Sequence, residues 1–197
     1  MTTTRIAIVA LALCLGAARS NAQEPGKHAT GPGVKGFRGD FLTQLDATEK
    51  KLVDLANAIP DEKYSWRPEE GVRSVSEVYV HVAGANYFFL SFAGVKPPDG
   101  ISQDMEKTVT RKADVVEALK KSFAFAREAV MKMTDADLAH PAKMFGQETT
   151  VEGVLFVMSL HMHEHLGQSI AYARMNGVVP PWTAAQMKQS SGKKGSD

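Results

Sequence analysis

Thiol chemistry is almost missing from this chain: its 197 residues include a single cysteine, Cys14. That cysteine lies inside the apolar stretch Ile6 to Ala18, after a basic start at Arg5 and before the small residues Ser20-Asn21-Ala22. About thirteen apolar residues are too few to span a bilayer, so 1–22 is expected to be a secretory signal peptide. Large Leu13 beside Cys14 argues against lipidation, because a small residue is wanted there. Cleavage after Ala22 leaves a mature chain without a thiol, which excludes disulfides, thiolate ligands and a cysteine nucleophile. The expected location is exported, periplasm or extracellular space.

An excess of charge of either sign is also missing. Without Arg5 and Arg19, 21 basic residues face 22 acidic ones, and they form no basic block. Nucleic acid is therefore not an expected partner. After the signal there is no second run of about 18 apolar residues, so no stable membrane insertion is expected. Sustained apolar–polar alternation is absent too, apart from a short extended piece around Lys143 to Thr149.

What remains is helical. Residues 23–36 are rich in Gly and Pro without apolar periodicity and read as a flexible leader; 183–197, with Ser190-Ser191-Gly192-Lys193-Lys194, reads as a flexible tail. Between them four segments carry the three-to-four-residue apolar spacing of helices. The first runs from Phe37 to Ile59, burying Phe41, Leu45, Leu52, Leu55 and Ile59, and Pro60 stops it. The second opens on the capping box Ser74-Val75-Ser76-Glu77 and ends near Ala93, before Gly94 and Pro97-Pro98. A third covers Lys112 to Met133, with Val116, Leu119, Phe123 and Val130 in phase. The fourth reads as opening on a second box, Thr149-Thr150-Val151-Glu152, and stops at Asn176-Gly177 before Pro180-Pro181. The expected fold is an all-α four-helix bundle over 37–182, with longer connections at Gly94–Thr110 and Thr134–Glu148.

Histidine carries the chemistry. His161 and His165, four apart on the fourth helix, project to one side and can offer two imidazoles to one ion. They fall on the stripe Val154, Met158, His161, His165, Gln168 and Tyr172. His81 shares the inner face of the second helix with Val78, Val82, Ala85 and Phe89. Burying imidazoles without partners is costly, so the three are either satisfied core residues or one open metal site. His163 points elsewhere, and His140 and His28 have no ligand spacing. Glu164 is a candidate base, though its direction suits an exposed helix residue. Gln168 is placed to orient a ligand or cap a substrate, or more simply to pack. The string is not H-E-x-x-H, which excludes the zinc-protease pattern. Trp66 reads as a cover over one end of the bundle, or with Arg67 as part of a pocket mouth. Tyr87, Phe88, Phe89 and Phe92 make the second helix aromatic nearly all round, enough to line a cavity or an interface as well as the core. Nine methionines without an M-x-x-M run read as core filler rather than copper ligands.

Two blocks of sequence resemble one family. Trp66-Arg67-Pro68-Glu69-Glu70-Gly71-Val72-Arg73-Ser74-Val75-Ser76-Glu77 with Val80-His81-Val82-Ala83, and His161 to Gln168 continuing through Tyr172 to Pro181, are similar to the DinB (DNA-damage-inducible) metal-binding four-helix bundles. The resemblance covers about Phe37 to Trp182. It implies that one histidine of helix two and the H-x-x-x-H pair of helix four, here His81, His161 and His165, bind a divalent metal, zinc or nickel. It also implies a possible homodimer. Relatives with known activity include metal-dependent thiol transferases and a thiol-dependent isomerase, which work in the cytosol, unlike an exported chain. The expected function is a metal-dependent hydrolase or transferase acting through metal-bound water or thiolate on a small-molecule substrate. The alternative is a non-catalytic envelope protein binding metal or a small ligand, and a third possibility is an inert bundle with structural histidines.

Overall fold

In the computed structural model, residues 33–102 and 104–193 are described. The expected signal peptide and most of the expected leader lie outside them. Four long helices form the frame: α1 (Gly36–Ala58), α2 (Val75–Phe92), α4 (Lys112–Lys132) and α6 (Val151–Met175). Two one-turn helices, α3 (Met105–Thr108) and α5 (Asp135–Leu138), lie in the connections, and a 3-10 turn follows α1 at Asp61–Lys63. The all-α four-helix bundle expected from the sequence is the fold observed. Among the described residues no helix is long and apolar enough to cross a membrane.

Each segment ends where its chemistry changes. Ser74 caps α2 as expected: its hydroxyl accepts from the Glu77 amide while Glu77 accepts from the Ser74 amide at 2.6 Å. The cap of α6 is shifted by one residue from the expected box. Thr150 accepts from Gly153 N at 3.1 Å, and no side chain returns the bond. Thr149 belongs instead to a two-stranded hairpin, β1 (Pro141–Met144) with β2 (Gln147–Thr150), which the sequence showed only as an extended piece. Its turn places Phe145 at φ 50° and Gly146 at φ 81°. A bulky residue at positive φ is unfavourable by about 1–2 kcal/mol. From Pro181 the chain forms α7 (Pro181–Lys193), so 183–193 of the expected flexible tail are helical, and 194–197 lie outside the described residues. Pro at the first helical position and Ala184-Ala185-Gln186-Met187-Lys188 favour a helix, and Trp182 packs under Lys51 of α1.

The apolar stripes meet as anticipated. Leu45, Leu52 and Leu55 of α1, Leu119, Phe123 and Val130 of α4, and Val154 and Met158 of α6 are fully buried. The helices pack in the cyclic order α1–α4–α2–α6, so the consecutive pair α1 and α2 lies on a diagonal. Lys112 at the start of α4 donates to Ile59 O after the end of α1, while Tyr172 near the end of α6 donates to Arg73 O just before α2. Thr48 in the middle of α1 meets His163 in the middle of α6. The outer helices of the sequence, α1 and α6, thus run one way, and α2 and α4 the other.

Candidate metal centre

Antiparallel packing of α2 on α6 brings His81 opposite His161 and His165. His161 Nε2 lies 3.1 Å from His81 Nε2 and 3.1 Å from His165 Nε2, and one nitrogen from each ring falls within 4.8 Å of the other two. Two nitrogens about 2.05 Å from a tetrahedral ion are roughly 3.3 Å apart, close to the spacing found. Among the described residues this is the group suited to hold a metal.

The far sides of two rings are anchored. His81 Nδ1 donates to Glu106 Oε1 at 2.7 Å, and His165 Nδ1 donates to Gln168 Oε1 at 2.8 Å. A carboxylate only accepts, so His81 carries its proton on Nδ1 and turns the Nε2 lone pair inward; the same holds for His165 opposite the amide oxygen. The chain of bonds continues. Gln168 Nε2 donates to Tyr172 Oη at 3.1 Å, Tyr172 donates to Arg73 O at 3.1 Å, and Arg73 Nε donates to Glu106 Oε2 at 2.7 Å. The two anchors are therefore joined through Tyr172 and Arg73 in one network.

His161 differs. Its Nδ1 is buried without a hydrogen-bond partner among the described residues, and its ring packs 5.2 Å from Phe89. One proton on His161 can answer only one of two facing lone pairs. A cation answers all three, so the donor set fits a divalent ion better than it fits a satisfied polar core. Burial, followed by the neighbouring His165, His81 and Arg73 charges, pushes His161 down to about 4. Burial also lowers His81, against the opposing pull of Glu106. Both rings are thus neutral near pH 7, as ligands must be. Burial acts to raise Glu106, but the bonds from Arg73 and His81 outweigh it and hold the carboxyl below its ordinary range.

Two of the three histidines, His81 and His161, line a cavity of about 1100 Å³. Arg67 lines it, donating to Val72 O and Glu77, whereas Trp66 packs edge-on against Tyr172 and covers the bundle end. Glu164 is exposed and does not line the cavity. Gln168 acts on His165, the orienting role considered for it. His163 turns to Ser159 O and Thr48, as its angle on the helix required. His140 lies 3.7 Å from Asp137 in the second connection, away from the triad. Glu106 escaped the sequence reading, since it sits on a one-turn helix 25 residues from His81 with no pattern linking the two.

A family model described as the DinB superfamily matches residues 44–169, and this chain belongs to that superfamily. Solved structures agree on the fold. A DinB-like protein from Bacillus cereus ATCC 10987 shares 22% identity, covering 72% of this chain and 93% of that one at TM-score 0.65. YfiT from Bacillus subtilis, described as a probable metal-dependent hydrolase with an unusual four-helix bundle topology, shares 15% identity at TM-score 0.58, covering 72% of this chain and 88% of its own. A mycothiol-dependent maleylpyruvate isomerase shares 15% at TM-score 0.53, covering 68% of this chain and 62% of its own. No curated protein sequence matches the chain.

Proposed function

We propose that this DinB-superfamily chain binds a divalent metal through Nε2 of His81, His161 and His165 and works as a metal-dependent hydrolase or transferase on a small molecule. The observation that carries the reading is the inward convergence of three imidazole nitrogens, two fixed by Glu106 and Gln168, beside an open cavity that His81 and His161 line. Zinc or nickel suits three neutral nitrogens with room for further ligands. When bound, such an ion supplies Lewis acidity toward a carbonyl, phosphoryl or thiol group. The protein's own part is to hold two rings in one tautomer, to keep Phe89 against the third, and to leave the cavity side open.

One observation favours a binding role without catalysis. Both carboxylates lining the cavity, Glu77 and Glu106, are engaged by Arg67 and Arg73, so neither is a free base. Metal content of the mature protein, purified without a metal-affinity tag, tests the common premise. About one equivalent of zinc or nickel, absent from a His161→Ala/His165→Ala variant, supports it. No metal in either protein after reconstitution overturns it. Turnover by the loaded protein across ester, amide and thiol-transfer substrates then separates enzyme from sequestering protein.

Export belongs to the same reading, and its support is the signal-like 1–22; an N-terminus beginning at Gln23 in secreted material checks it. A homodimer is supported by Phe156 and Leu160, one turn apart on α6 and both more than half exposed. Light scattering of a Leu160→Glu variant beside the parent tests that pairing.

A further inference from the structure

The hairpin turn holds Phe145 at φ 50°, a conformation that Gly or Asn adopts with little cost and Phe does not. Burial does not repay this strain, because Phe145 remains 64% exposed. Its ring nevertheless lies 6.0 Å from Phe88 and 6.2 Å from Phe89, and Phe88 is itself 45% exposed. Phe89 continues the contact to His161. All four side chains line the same cavity. A strained, exposed aromatic ring completing a wall beside a triad of histidines fits a surface held ready for an apolar ligand body.

Charge describes the other end of that ligand. The ionic side chains lining the cavity are Arg67, Arg73 and Lys107 against Glu77 and Glu106, a net of one positive charge before any metal is counted. Lys107 has no acidic partner among the described residues, and Arg73 Nη1 makes no hydrogen bond among them. We propose that the cavity takes a small amphipathic organic anion, its aromatic or branched apolar body on Phe88, Phe89 and Phe145 and its acidic group toward Lys107, Arg73 and the triad. The assignment rests on the metal-centre reading only for which end of the ligand reacts.

Titration calorimetry of the full chain, with and without one equivalent of zinc, tests this with 4-phenylbutyrate, butyrate and 4-phenylbutylamine. Phenylbutyrate should bind roughly tenfold or more tighter than butyrate, which lacks the ring, and than the amine, which reverses the charge. Phe145→Gly suits the turn, so its melting temperature should not fall, yet it should weaken phenylbutyrate roughly tenfold and leave butyrate unchanged. Lys107→Gln should weaken both acids alike. Equal binding of phenylbutyrate and butyrate, or an unaltered Phe145→Gly variant, overturns the proposal. Zinc content is measured on the same samples. Bound zinc without ring preference defeats this inference alone, and ring preference without bound zinc defeats the metal reading alone.

Discussion

The two anchored histidines are held by different kinds of structure. His165 is oriented by Gln168, less than one turn away on the same helix, within a 25-residue element whose inner face is core. His81 is oriented by Glu106, which reaches it from a four-residue helix inside the Gly94–Thr110 connection and is itself held by Arg73. One arrangement is fixed as soon as a helix forms. The other exists only when a loop closes over the bundle. A site built both ways has a rigid half and a conditional half, and Gln168 and Glu106, one anchor from each, both line the cavity.

The largest expected effect lies in the helical frame that carries both anchors. Phe123 is fully buried between helices, so Phe123→Ala should cost about 3–5 kcal/mol in chemical denaturation and affect both halves together. Next comes the conditional half alone. Glu106→Leu removes the carboxylate that fixes the His81 tautomer and should weaken metal binding roughly 10–100-fold in a chelator competition, with little change in helix content. Gln168→Leu should weaken it less, because a neutral amide is the weaker acceptor. If the Gln168 variant loses more, the division between halves is wrong.

A smaller effect concerns pH. His161 titrates near 4 in the fold and near the ordinary 6.5 when unfolded. Between those values the unfolded chain binds more protons, so folding stability rises with pH there. Melting of chelator-treated protein should therefore decline as pH falls from 6.5 toward 4, and His161→Asn should flatten part of that slope. The smallest change is at a helix cap. Ser74→Ala should cost about 1 kcal/mol and leave metal affinity nearly unchanged, since the Ser74 hydroxyl bonds Glu77 and Ser76 and neither anchor, Glu106 or Gln168.

Legibility followed the same division. Apolar spacing located all four long helices to within a residue or two at each end, because each buries a stripe that sequence displays directly. His161, His165 and Gln168 were readable as neighbours on one helix. Glu106 was not, since nothing in residues 94–110 distinguishes it from other solvated carboxylates until Arg73 and His81 are in place. The cap of α6 was misplaced by one residue because Thr149 and Thr150 look alike locally, and only strand pairing with Ala142 assigns Thr149 to the hairpin. Helix α7 was hidden by the Ser, Gly and Lys residues after Gln189, although the preceding Ala-rich turn favours a helix.

The diagonal placement of α1 and α2 bears on how the chain reaches its folded state. Helices that emerge first from a ribosome usually find each other first, as a local hairpin. Here each of the first two packs chiefly against α4 and α6 rather than against the other, so the core between them is completed by the C-terminal half of the chain. The stripe that α1 buries is closed on one side only by α6, the last of the long helices.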